Sequence, residues 1–227
     1  MEEAKEEARE FLALNRISRS SIGQARNRSG TRRIDSTSST GTRRPAYHGR
    51  TEPGPQPVRA NFGYKTLLTI RGAAPADADA IWSILEPVLR AGETYALPPD
   101  WSRSKALSYW FSPNLEVFVA EMNELVTGTY FLKANQLGGG AHVANCGYVT
   151  AQNSIGRGVA TAMCQHSLRY ATERGFRAMQ FNCVVSSNER AVKLWRHLGF
   201  EIIGTIPEGF EHPILGFVDA LIMHRAL

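Results

Sequence analysis

Three places in this 227-residue chain hold residues whose types and spacing can do chemistry. The first is Ser154-Ile155-Gly156-Arg157-Gly158-Val159-Ala160-Thr161, which follows an apolar strand pattern and opens a helical one. Two glycines let the backbone turn tightly, so that several N–H groups and the positive end of a helix converge on one point, an arrangement that binds phosphate or pyrophosphate. A Gly-x-Gly turn also serves plain strand-to-helix geometry. This one has neither the Lys-Ser/Thr pair of a Walker loop nor the third glycine of a dinucleotide fingerprint. The second place is a pair of amides, Asn145 and Asn182, that interrupt apolar stretches in what read as two central strands. A buried amide finds partners or costs about 1–3 kcal/mol, so each either satisfies local backbone or meets a polar guest. The third is a scattered set of acid–base and nucleophilic groups. Glu93 is a loop carboxylate that reads equally as a base or as a solvated residue, and His142, at a strand start, reads as structural before it reads as a base. Cys146 and Cys183 have no paired base and read as small apolar fillers. The strand pattern over 141–150 carries no carboxylate.

The elements that must position these groups begin at Lys65. Residues 66–71 read as a strand and 75–90 as a helix with Ile81, Ile84, Leu85, Val88 and Leu89 on one face. A loop over 91–101 leads to a short helix capped by Ser102 or Ser104 and ending at Trp110 and Phe111. Strands over 115–122 and 125–133 are joined by Asn123-Glu124, and the triple glycine 138–140 links to the strand over 141–150. The pattern then turns from antiparallel pieces to a parallel unit. A helix over 157–174, stopped by Gly175, leads to a strand over 177–185. Ser186 and Glu189 have capping-box spacing for a helix over 188–198, ended by Gly199, and strands over 200–206 and 216–226 close the order.

Composition sorts the chain into two parts. Residues 1–64 hold 12 Lys/Arg against 7 Asp/Glu, whereas residues 65–227 hold 14 of each, so the net charge of +5 belongs wholly to the leading segment. Residues 2–14 read as a short charged helix. From 15 to 62 the chain is Ser, Thr, Arg, Gly and Pro with few large apolar residues, the composition of a segment that cannot offset its ordering entropy. The expectation is a disordered extension over 1–62 and one domain over 63–227. An arginine-rich tail that grips nucleic acid is the less favoured reading. No apolar run reaches the ~18 residues of a membrane span, the acidic first ten residues lead into no signal-like apolar stretch, and three cysteines are too few and too scattered for a disulfide framework or a zinc site. A reducing cytoplasm, no membrane partner and no metal are expected.

The glycine turn resembles the acyl-CoA pyrophosphate loop of GCN5-related N-acetyltransferases, Gln/Arg-x-x-Gly-x-Gly/Ala, matched by Gly158 and Ala160 and departed from at Ile155. The run Asn188…Ala191-Val192-Lys193-Leu194-Trp195-Arg196-His197-Leu198-Gly199-Phe200 resembles the second signature of that family, with Trp195 where tyrosine is usual. Gly92-Glu93-Thr94-Tyr95, Tyr109-Trp110-Phe111, Gly128-Thr129-Tyr130, Lys133-x-Asn135, Asn145, Phe181-Asn182 and Val218-Asp219-Ala220 are similar to the branch of the family that acts on azetidine-2-carboxylate and other proline-like amino acids. The resemblance implies an α/β acetyltransferase fold: a mixed sheet of about seven strands, splayed between the fourth and fifth, with four helices. It also implies acetyl-CoA as co-substrate and transfer to the amine of a small molecule. Asn182 would sit near the thioester oxygen and Asn145 on the acceptor, with Glu93 as the nearest acid–base candidate. The cofactor would be held by Tyr148, the Val149 backbone N–H, Ile155, Gly156, Arg157, Gly158, Val159, Ala160, Thr161, Asn182, Asn188 and Trp195. Acetylation of a protein amine, a catalytically weak acetyl-CoA-binding module, and a homodimer stay open.

Overall fold

The computed structural model describes residues 58–62 and 66–227; the expected helix over 2–14 and the extension as far as residue 57 lie outside the described residues. The strands are β1 (Val58–Phe62), β2 (Thr66–Gly72), β3 (Glu116–Met122), β4 (Leu125–Ala134), β5 (Val143–Thr150), β6 (Ala178–Val185), β7 (Glu201–His212) and β8 (Gly216–Ala226). The helices are α1 (Ala78–Ala91), α2 (Arg103–Trp110), α3 (Val159–Glu173) and α4 (Glu189–His197). The strands form one sheet in the order β1-β2-β3-β4-β5-β6-β8-β7, antiparallel throughout except for the parallel pair β5–β6.

This is the expected mixed sheet with one strand more. Val58–Phe62, read as part of the extension, pairs antiparallel with β2. Val58, Ala60 and Phe62 alternate with Arg59 and Asn61, a period-2 signal too short to stand out from its Pro- and Arg-rich flank. Local signals otherwise set most boundaries. Asn123 and Glu124 both take positive φ (52° and 65°), which gives the β3–β4 turn a twist matching the strands. Ser102 caps α2 by accepting from the Lys105 N–H at 3.2 Å. At α4 the expected capping box gives way to Asn188, whose Oδ1 accepts from the Ala191 N–H at 3.2 Å. α1 begins later than read, after a 3₁₀ turn over Pro75–Asp77. That turn is pinned by Asp77, which accepts from both Arg71 Nη atoms (2.7 and 2.8 Å) and from the Ala74 N–H (2.7 Å). Arg71 also bonds Glu121 on β3, and beside it the Asp77 carboxyl is held below its ordinary range. β7 runs past its expected end at 206 to His212, with a register shift between Ile206 and Phe210 where Asp219 accepts from the Glu208 N–H at 3.0 Å.

Each face of the sheet buries its own core. On one side α1 and α2 place Ile81, Leu85, Leu89, Leu107 and Trp110 against Val119, Phe131 and Val149. On the other, α3 and α4 place Met163, Cys164, Leu168, Trp195 and Leu198 against Phe118, Tyr130, Cys146, Met179 and Phe181. Gly128 lets α3 lie close: a Cβ there would meet Met163 Cε and Val159 Cγ1 at 2.9 Å. This second core has polar seams. The Tyr130 hydroxyl and His166 Nδ1 share a 2.5 Å hydrogen bond, and the Tyr148 and Ser167 hydroxyls share one of 2.6 Å.

Burial lowers the His166 pKa from 6.5 to about 4. The unfolded chain protonates this histidine near 6.5 while the fold keeps it neutral, so the unfolded state binds the extra proton across that window. The melting temperature is therefore expected to fall by several degrees between pH 6.5 and 4. His166→Gln, which removes the titrating group, should show a shallower fall over the same range. An identical pH slope in both proteins, measured by calorimetry, would assign the acid sensitivity elsewhere.

Candidate functional site

β5 and β6 pair in parallel only at Val143↔Ala178 and Ala144↔Met179, although the strands run on to Thr150 and Val185. Past those pairs they separate. The alternation of the ladder says which backbone groups the separation frees. The Asn135 N–H donates to the Val143 carbonyl and the Ala151 N–H to the Thr127 carbonyl, with an unbroken register between them. Odd-numbered residues of β5 therefore spend both main-chain groups on β4, and Cys146, Tyr148 and Thr150 turn theirs into the gap. Tyr148, expected among the cofactor residues, presents its main-chain groups to the gap. Val149 does not: its N–H belongs to the pair with Thr129, and its side chain is buried in the α1–α2 core.

The opposite wall is shaped by a bulge. Phe181 pairs with Met223 and Val184 with Leu221, so Asn182 and Cys183 together stand opposite the single Ile222. Both are exposed, within a strand whose Phe181, Val184 and Val185 are buried. The expectation that Cys183 is a buried filler is thereby corrected, whereas Cys146 and Cys164 are buried, and burial pushes the Cys164 thiol up to about 12. The bulge also puts Asn182 in the gap instead of in the ladder. Its Nδ2 donates to Asn135 Oδ1 at 2.7 Å and its Oδ1 accepts from Gln180 Nε2 at 2.9 Å. Asn145, which is buried, donates through Nδ2 to the Gln180 carbonyl at 2.9 Å, satisfying a main-chain group where the strands part.

At the C-terminal end of β5 the chain enters α3 through Gly156 and Gly158, at φ +83° and +81°. The first intrahelical bond is donated by the Ala162 N–H to the Gly158 carbonyl, so the N–H groups of Val159, Ala160 and Thr161 precede the ladder. Around this turn Ile155 and Arg157 are exposed, and Arg190 of α4 brings Nη2 to 3.6 Å from where a Gly156 Cβ would lie. Arg190 carries no motif signal; only the packing of α4 beside the turn places it there. The whole can hold an extended chain along the free edge of β5 with an anionic end on the turn.

Other expected residues sit differently. Asn188 caps α4, and Trp195 is buried among Tyr148, Phe181 and Phe200, with centroids at 5.1, 5.1 and 6.4 Å. Trp110 is core as well, with Nε1 donating to Thr129 Oγ1 at 3.1 Å. His142 is exposed and bonded to the Gly139 carbonyl at 3.1 Å. Glu93 is half-buried on the loop that also carries Tyr95. An open groove of about 980 Å³ lined by Gln165, Arg169, His197 and His224 lies along α3 and α4 and shares none of the gap residues.

The profile of the acetyltransferase (GNAT) family matches residues 79–200. The chain is similar to a GCN5-related N-acetyltransferase from Kribbella flavida, at 43% identity and a TM-score of 0.68 over 70% of this chain and 98% of that one. It is also similar to the N-acetyltransferase aca1 of Schizosaccharomyces pombe, 24% identical over 155 residues, 59% of this chain and 72% of that protein. A phosphinothricin acetyltransferase from Sinorhizobium meliloti, solved in complex with AcCoA, shares the fold at 21% identity and a TM-score of 0.63, over 70% of this chain and 88% of that one.

Tyr95 had no signal of its own beyond the resemblance. Among the described residues its hydroxyl is the one buried side-chain polar atom without a hydrogen-bond partner, and it lies 2.0 Å from where a Gly147 Cβ would be. Gly147→Ala is expected to destabilise the fold by about 1–3 kcal/mol through this clash. Tyr95→Phe removes an unsatisfied hydroxyl and should be neutral or stabilising. The double variant should recover part of the Gly147→Ala loss in urea titrations; strictly additive losses would show that the two groups do not meet.

Proposed function

This chain belongs to the acetyltransferase (GNAT) family, and on that premise we propose that it moves an acetyl group from acetyl-CoA to the amine of a small, proline-like amino acid. That it is an acetyl-CoA-dependent N-acetyltransferase follows from the family. The acceptor is our reading. It is supported by the similarity of residues 92–95, 128–130, 133, 135 and 181–182 to the azetidine-2-carboxylate branch, and by the amides gathered at the gap.

The observation that carries the reading is the free edge of β5 running into the turn at Gly156 and Gly158. Cys146, Tyr148 and Thr150 can hydrogen-bond the amides of a pantetheine arm as an added strand would, and the N–H groups of Val159, Ala160 and Thr161 can meet the pyrophosphate. In the transfer the acceptor nitrogen attacks the acetyl carbonyl, the C–N bond forms, the C–S bond breaks, and coenzyme A leaves as its thiol. The amine proton passes to water, with Glu93 on the neighbouring loop as the nearest carboxylate candidate to draw it off. The leaving thiolate takes its proton from water, since Trp195 is packed in the core and indole is no practical acid. Asn182 donates one amide N–H to Asn135 and has a second for the carbonyl oxygen as its negative charge develops. Asn145 holds the strands at their point of separation and so fixes the width of the acceptor end.

Two variants test this assignment. Gly158→Asp puts a carboxylate and a Cβ on a left-handed residue at the helix entrance, and should weaken acetyl-CoA binding at least tenfold, about 1.4 kcal/mol. Asn182→Ala should lower kcat by ~10²–10³ with little change in the acetyl-CoA Kd. Because Asn182 is exposed, its melting temperature should hold. Calorimetric affinities, melting curves and thiol release on the same preparations decide it: normal turnover in Asn182→Ala would remove this residue from the chemistry.

A further inference from the structure

Lys133 stands directly opposite Asn145 in the β4–β5 register, so the two share a face of the sheet. That face is the α1–α2 side, fixed by Phe131 two residues earlier, which is buried against Trp110 with ring centroids 5.1 Å apart. Asn135, two residues later, reaches across the gap to Asn182. α3 and its anion-binding entrance pack on the other face, where Ala144 and Cys146 are buried. A donor entering from the α3 side thus meets its acceptor on the side of Lys133.

Lys133 is half-buried, and it takes part in none of the ion pairs among the described residues. The amides on its face at the gap, Asn145 opposite it and Asn135, Gln180 and Asn182 beyond, are neutral and bond one another or the Gln180 carbonyl, so none of them compensates its charge. A cation kept partly out of water beside neutral donors is complementary to an anion.

The geometry points to Lys133 as the residue that receives the carboxylate of an amino-acid acceptor. This rests on the acetyl-transfer reading and makes it more specific: affinity should depend on the negative charge of the acceptor, not on its ring. The experiment compares wild type, Lys133→Met and Lys133→Arg on L-proline and azetidine-2-carboxylate, each against its uncharged amide. Lys133→Met should raise KM for the acids about tenfold, leave the amides within about twofold, and change kcat little; Lys133→Arg should restore most of the loss. Azetidine-2-carboxylate titrated calorimetrically into protein saturated with coenzyme A should show the same loss of affinity, with the coenzyme A Kd unchanged. Equal effects on acids and amides, or none, overturn the assignment. Wild-type acetylation of the amides but not of the acids overturns it too and leaves acetyl transfer standing. Acetylation of neither overturns the amino-acid reading and this assignment together.

Discussion

Two parallel strands that stop bonding halfway along are the constraint from which the site follows. Each main-chain group left bare in a protein interior costs as much as a lost hydrogen bond, so a sheet that opens between β5 and β6 must fill the opening or lead it to solvent. This sheet does both. Asn145 fills the first position by bonding the Gln180 carbonyl, and the bulge at Asn182 and Cys183 turns the next two residues outward. What remains bare is a short edge of β5, aimed at the glycine turn. A binding edge is therefore a property of strand pairing, and the side chains around it refine what it holds.

The two faces of the sheet divide the labour. The α3–α4 face is aromatic and closely packed, with Tyr130, Tyr148, Phe181, Trp195 and Phe200 in mutual ring contact and a glycine at Gly128 where the helix comes nearest. That rigidity fixes the entrance of α3 against β5. The α1–α2 face is apolar near β3 and β4 and becomes polar at the gap, where Lys133, Asn135, Gln180 and Asn182 gather and where the Tyr95 loop crosses Gly147. One face of the gap is thus closely packed and aromatic, and the other is lined by hydrogen-bonded amides and a lysine.

Legibility in the sequence followed the range of the cause. Helix stripes, the Asn123-Glu124 turn and the glycine turn before α3 are written in neighbouring residues and could be read, and the α2 cap could be narrowed to Ser102 or Ser104, of which Ser102 makes the bond. Asn145 and Asn182 could be picked out as anomalies because an amide breaks an apolar run. Their different fates could not, since only the pairing of β6 with β8 decides that one is buried and the other exposed. The same holds for Val149, whose N–H direction depends on a ladder parity set by Asn135 and Ala151, and for Cys183, exposed by a bulge that has no local signature. β1 and the far half of β7 were missed for a related reason: their partners β2 and β8 define them more than their own composition does. Arg190 and Lys133 reach the site from separate elements, α4 and β4, and only the assembled fold places them around it.

The bulge also has a practical side. It leaves Cys183 as the one exposed thiol of three, while Cys146 and Cys164 are buried with their thiols pushed well up the pH scale. An alkylating reagent therefore meets a single accessible sulfur, whose thiol partial burial also holds above its ordinary range, and that sulfur stands in the wall of the gap. The protein comes with its own attachment point for a fluorinated or fluorescent reporter beside the gap, with no engineered cysteine needed.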